Sequence, residues 1–128
     1  MSGRWLRARS LALATTFLAG PVAAASLQTA PLRIPSGAML DCQFLNGGKK
    51  DLAGVVIQAT IAGGGLGDTT GPLTVAPSDT ASLVKTNATG GASAGWCRFE
   101  FKGARRNVRA SACVLDSTLG CTAAAPAQ

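Results

Sequence analysis

The sequence contains no histidine and no tyrosine. Without an imidazole there is no base of the usual kind for a serine or cysteine nucleophile, and no ligand pair for a blue-copper centre. Charged residues make up 14% of the chain and aromatic residues 5%. The charged share lies well below the ~25% of an average domain, which argues against a disordered polyelectrolyte and against a coiled coil. Long apolar runs are also missing. The clearest one, Leu11 to Ala19, falls short of the ~20 residues that cross a bilayer comfortably.

That short run has a specific setting. Arg4, Arg7 and Arg9 precede it with no acid among them, Gly20-Pro21 ends it, and Val22-Ala23-Ala24-Ala25 follows. A basic start, an apolar middle and small residues at the end predict a secretory signal peptide over residues 1–25, cut after Ala24 or Ala25. An uncleaved N-terminal anchor is the alternative. Arg7 and Arg9 are separated by Ala8, so the twin-arginine signal is absent. Of the 128 residues, cleavage leaves 103, enough for one small core. It also removes three of twelve basic residues against six acids, so the net charge falls from +6 to +3. A value of +3 is ordinary for an exported domain and weighs against nucleic acid as the partner.

Cys42, Cys97, Cys113 and Cys121 all lie beyond the leader. An even count in a small exported chain points to two disulfides. A zinc site would need C-x-x-C spacing or histidine, and neither is present.

Between residues 38 and 121 the apolar residues alternate. Leu40, Cys42 and Phe44 recur at every second position, as do Val55, Ile57, Ala59 and Ile61, then Cys97, Phe99 and Phe101, then Val108, Ala110, Ala112 and Val114. Leu73-Val75 and Thr80-Lys85 are shorter strands, and Asn46-Gly47-Gly48, Gly63–Gly71 and Asn87–Gly95 are turns and loops. No capped helical stripe is present. Six or seven short strands predict an all-β fold, an antiparallel sandwich that is immunoglobulin-like in the loose sense, with a small barrel as runner-up. Residues 26–37, with Pro31 and Pro35, read as an extended lead-in that can pair as an edge strand. Residues 122–128, alanine-rich with Pro126, read as a frayed tail.

Taking the last two strands as a hairpin, one register places Phe101 opposite Val108, Phe99 opposite Ala110 and Cys97 opposite Ala112. It also sets Glu100 against Arg109, a favourable cross-strand pair. Cys42 and Cys97 then face inward and Cys113 outward. This predicts a Cys42–Cys97 bond across the core and a local Cys113–Cys121 staple.

The segments Leu40-Asp-Cys-Gln-Phe-Leu-Asn46, Trp96-Cys-Arg-Phe-Glu-Phe101 and Asn107-Val-Arg-Ala-Ser-Ala-Cys113 together resemble small exported proteobacterial β-sandwich proteins of unassigned function, over about 80 residues from Gly37 to Cys121. The resemblance implies a bacterial periplasmic or secreted location and lends no catalytic residue.

Candidate chemistry is sparse. Ser82-Leu-Val-Lys85 matches a serine–lysine pair, but a strand sends positions three apart to opposite faces. The Gly63–Gly71 loop lacks a Gly-Lys-Ser/Thr ending and a completed dinucleotide fingerprint. The acids Asp41, Asp51, Asp68, Asp79, Glu100 and Asp116 are spread one to a segment, with no acid/base pair and no calcium loop. No cofactor or metal is expected. Asn87-Ala-Thr89 fits the glycosylation pattern and reads as a solvent-facing loop. The remaining candidate is basic: Lys102, Arg105, Arg106 and Arg109 crowd one hairpin tip, with Trp96 and Arg98 on the same outward face. Such a run is a solvated turn or a grip for anions. The expected function is therefore a non-enzymatic binding or structural module of the envelope, with an acidic polymer or protein surface as partner. A small secreted enzyme or inhibitor acting through a loop is the alternative.

Overall fold

Alternation of apolar and polar residues sorts this chain into two sheets whose inner faces share one core. The computed structural model describes residues 24–128. The signal-peptide reading of 1–25 lies outside the described residues except for its last two positions.

Ten strands occur among the described residues: β1 (Ala24–Gln28), β2 (Leu32–Ile34), β3 (Met39–Asn46), β4 (Leu52–Ile61), β5 (Asp68–Thr69), β6 (Leu73–Val75), β7 (Thr80–Thr86), β8 (Ser93–Lys102), β9 (Val108–Leu115) and β10 (Cys121–Pro126). All named pairings are antiparallel. In the first sheet β8 and β4 lie side by side. β1 and β2 follow one another along the outer edge of β8, and β5 and β6 share the outer edge of β4. The second sheet runs β10-β9-β3-β7. The two sheets do not close into a barrel, so the sandwich reading holds and the runner-up falls.

The core sits between the sheets. Cys97, Phe99 and Phe101 of β8 alternate with the outward Trp96, Arg98 and Glu100, and all three are buried. From the facing sheet, β3 contributes Leu40, Cys42 and Phe44, each fully buried. The Phe44 ring bridges the layers, 6.1 Å from Phe99 and 5.5 Å edge-on from Phe101. Such offset and T-shaped contacts suit the ring quadrupole. Cys42–Cys97 crosses the core between β3 and β8, and Cys113–Cys121 joins β9 to β10 on the outer side. Both pairings are as expected.

The expected hairpin of β8 and β9 does not form. The chain crosses between sheets after Lys102, and β9 pairs with β3 instead, setting Phe44 opposite Ala110 and Cys42 opposite Ala112. Glu100 lies opposite Val56 and Ser26, and its ion pair is with Arg98 at 3.2 Å. Arg109 is on the other sheet, so the Glu100–Arg109 pair is replaced. Both ends of the domain are also more ordered than expected. The lead-in supplies β1 and β2, and Ile34 is fully buried; Gly95 opposite β2 leaves it room, because a side chain there would collide with Ile34 and Leu40. The expected frayed tail is strand β10. Its end ties the sheets together through the Thr29–Ala127 bridge and two reciprocal 3.1 Å bonds between Gln28 and Gln128.

Candidate functional site

Two buried asparagines shape the loops at opposite ends of the sandwich. Asn46, the last residue of β3, is fully buried. Its side-chain oxygen accepts the Gly48 N–H at 2.9 Å, and its amide donates to the carbonyls of Lys50 at 2.8 Å and Val75 at 2.9 Å. Those bonds fold residues 47–50 into one fixed turn. The Gly47 N–H then donates to the Asn107 carbonyl at 2.7 Å. Asn107 closes a 3-10 turn, Arg105–Asn107, in the β8–β9 connection. A side chain at Gly48 would press on Asn107 Cβ and Asn46 Oδ1, each 3.3 Å away, so glycine there lets the two loops meet without displacing either.

Between the loops lies an open groove of about 560 Å³. Lys49, Lys50, Asp51, Lys102 and Asn107 line it, and Arg105 and Arg106 stand exposed on the adjoining turn. The two ion pairs among the described residues are Lys85–Asp68 and Arg98–Glu100. Neither uses a cation of this end. The acids nearby are Asp51 and Asp79, whose carbonyl accepts the Asn46 N–H at 3.0 Å. Five exposed cations therefore face solvent against two acids, on loops pinned to one another.

The expected basic cluster is partly reassembled by this geometry. Lys102, Arg105 and Arg106 stay together. Lys49 and Lys50 join them from more than fifty positions away in sequence. Arg109 stays beside the turn but does not line the groove: it lies on the outer face of the second sheet, and its guanidinium donates to the carbonyls of Arg106 at 3.4 Å and Val108 at 3.2 Å. Trp96 and Arg98 do face outward on β8, but Trp96 is six residues from Lys102, roughly 20 Å along the strand. The lysine pair had one legible signal, its place directly after the Asn46-Gly47-Gly48 turn.

Ser82 is exposed on the outer face of β7, whereas Lys85 points inward to Asp68 at 3.0 Å. The Gly63–Gly71 loop contains β5, and Thr70 accepts the Ile57 N–H through its hydroxyl at 3.0 Å. Asp116 accepts the Thr118 hydroxyl at 2.7 Å, with the Gly120 and Thr118 amides at 3.0 and 2.9 Å. These bonds to the charged form, the hydroxyl foremost, hold its carboxyl below the ordinary 3.8. Among the described residues no three His, Cys, Asp or Glu side chains gather as a metal set.

The Asn87-Ala-Thr89 loop faces solvent at Ala88 and Thr89, as expected, but Asn87 itself turns inward. It is 1% exposed. Its amide donates to the carbonyls of Ile34 and Gly91, each at 2.9 Å, and its oxygen accepts the Thr89 N–H at 3.0 Å and hydroxyl at 2.7 Å. Asn87→Ala would strand a buried carbonyl and part of a turn. The expected cost is about 2–3 kcal/mol, the scale of buried groups left unbonded, read from the shift in denaturant midpoint. A shift near zero would mean water replaces the amide freely.

No family model matches the chain, and no curated protein matches it. Among solved structures it is similar to the crystal structure of Thermotoga maritima 1070, with 12% identity, 86% of this chain and 95% of that chain covered, and a TM-score of 0.50, a likeness of fold.

Proposed function

We propose that this chain is an exported binding module of the bacterial envelope, and that it grips an anionic polymer through the groove between the β3–β4 and β8–β9 loops. One observation carries the reading: the 2.7 Å bond from Gly47 to Asn107 fastens the Lys49–Lys50 turn to the Arg105–Arg106 turn. Cations on separately mobile loops would lose entropy on binding. Cations on loops already fixed lose less, so more of the attraction becomes affinity. Arginine forks suit phosphate and carboxylate in bidentate fashion, and the lysines add point charges beside them.

The proteobacterial resemblance and the basic, apolar and small-residue layout of the leader support export. Two disulfides are consistent with an oxidising compartment, and among the described residues no helix is long and apolar enough to cross a membrane.

The test is retention on immobilised polyphosphate at low salt. Replacing Lys49, Lys50, Arg105 and Arg106 together by alanine is expected to abolish retention while leaving the unfolding midpoint nearly unchanged, because all four side chains are exposed. Replacing Arg33 and Arg98, which lie away from the groove, is expected to leave retention as it was. Wild-type retention should fade as salt passes ~0.1 M, where exposed charges are screened beyond ~10 Å. If the wild type flows through at low salt, or if both variants lose retention alike, the groove is only a solvated end.

A further inference from the structure

The sandwich has four sheet edges, and three of them are interrupted. On the first sheet, one edge is split between β1 and β2 around Pro31, and the other consists of the two-residue β5 and the three-residue β6. On the second sheet, β10 carries a register shift between Cys121 and Ala123, ends at Pro126 and is bridged to the first sheet. Short strands, bulges and proline are the usual guards of an edge. β7 has none of them. It runs seven residues without a break, pairs only with β3 among the described residues, and contains no proline.

The parity of its ladder is set by the bond from the Asn87 N–H to the Ala38 carbonyl, 2.8 Å. Counting back in twos, Lys85, Leu83 and Ala81 turn their backbone groups toward β3. Thr80, Ser82, Val84 and Thr86 therefore turn theirs to the open side, and all four are exposed. Val84 is 44% exposed, one of the few large apolar side chains so placed. The strand's one charge, Lys85, points inward, a placement that can guard an edge, but here its ammonium is held by Asp68 at 3.0 Å and does not stand across the open side.

We propose that β7 is a pairing edge, and that its partner is β7 of a second copy of this chain, related by a two-fold axis through Leu83. The strand is self-complementary in that register. Thr80 meets Thr86 of the other copy, Ser82 meets Val84, and Ala81 meets Lys85. Every outward amide and carbonyl finds its counterpart, all seven residues overlap, and the two lysines are not opposed. The product is one continuous eight-stranded sheet. Antiparallel pairing sends the two cationic ends in opposite directions.

The experiment is sedimentation of the purified protein over a concentration series, with amide hydrogen exchange at low and high concentration. A monomer–dimer equilibrium is expected, with the Ser82 and Val84 amides exchanging fast in the dilute protein and protected in the dimer. Val84→Pro removes an N–H that β3 does not use. It should weaken dimerisation about 10–100-fold, the effect of two lost backbone bonds about the axis, and leave the fold intact. A protein monomeric up to about 1 mM, a dimer whose Ser82 and Val84 amides stay fast, or a folded Val84→Pro that dimerises as before would each overturn the proposal. If Val84→Pro fails to fold, the exchange measurement on the wild type decides.

Discussion

Truncating Phe99 to alanine is expected to cost about 3–5 kcal/mol, the range for a buried aromatic residue cut back to a methyl. That is a large share of the 5–15 kcal/mol that holds a typical small domain folded. The ring is fully buried and stands against Phe44 of the facing sheet. Its loss opens a cavity at the point where the two layers meet, beside the Cys42–Cys97 bond that keeps β3 and β8 from spreading to refill it. Cavities that cannot collapse are the costly ones. The outward neighbour is the control: Arg98→Ala removes a half-exposed ion pair with Glu100, and such surface pairs carry little stability. Urea unfolding of both variants checks the pair of expectations. Equal shifts would mean that the core does not depend on this inter-sheet contact.

The face of every long strand was legible because a period of two is a strong signal, and Phe99 and Phe101 are inward as the alternation requires. The cysteine pairing was legible for the same reason, since one pair faces in and the other out. The partner of β9 was not. β3 carries Cys42-Gln-Phe44 and β8 carries Cys97-Arg-Phe99, the same three-residue pattern on the same kind of face. Ala110 and Ala112 fit opposite either one, so alternation alone leaves two answers. The short connection favoured the nearer strand. The bond that fixes the actual crossing, from Gly47 to Asn107, joins residues sixty positions apart and leaves no local mark.

Composition hid the ends of the domain. β10 is built from alanines with a terminal proline, residues of poor strand propensity, and it holds through backbone pairing and its anchor at Cys121. Pro31 masked β1 and β2 because it stands in the gap between them. At the candidate site, Lys102, Arg105 and Arg106 were found as a local charge run, whereas Lys49 and Lys50 reach the groove only through the fold. Asn87 was misjudged because a buried and a solvated asparagine have the same neighbours in sequence; the Ile34 carbonyl it serves is more than fifty residues away.

The two disulfides are expected to differ in both stability and accessibility. Cys42–Cys97 spans 55 residues and Cys113–Cys121 spans 8. On the loop-closure estimate, the first restrains the unfolded chain by about 4 kcal/mol and the second by about 2.5 kcal/mol. The native state widens the gap. Cys42 and Cys97 are both fully buried, so replacing them by alanine also removes two sulfur atoms from the centre of the core. Cys121 is exposed and Cys113 half-buried on the outer face, so little packing is lost there. The double variant Cys42→Ala/Cys97→Ala should therefore be the more damaged of the two, by more than the ~1.5 kcal/mol that loop length alone implies. Access to reductant follows the same order, because thiolate attack needs a path to sulfur. Brief treatment of the folded protein with a mild thiol, followed by alkylation and mass mapping, should label Cys113 and Cys121 while Cys42 and Cys97 stay bonded until denaturant is added. Simultaneous labelling of all four would show that the sheets separate as readily as the outer staple opens, and that the inter-sheet core is not the most stable part of the fold.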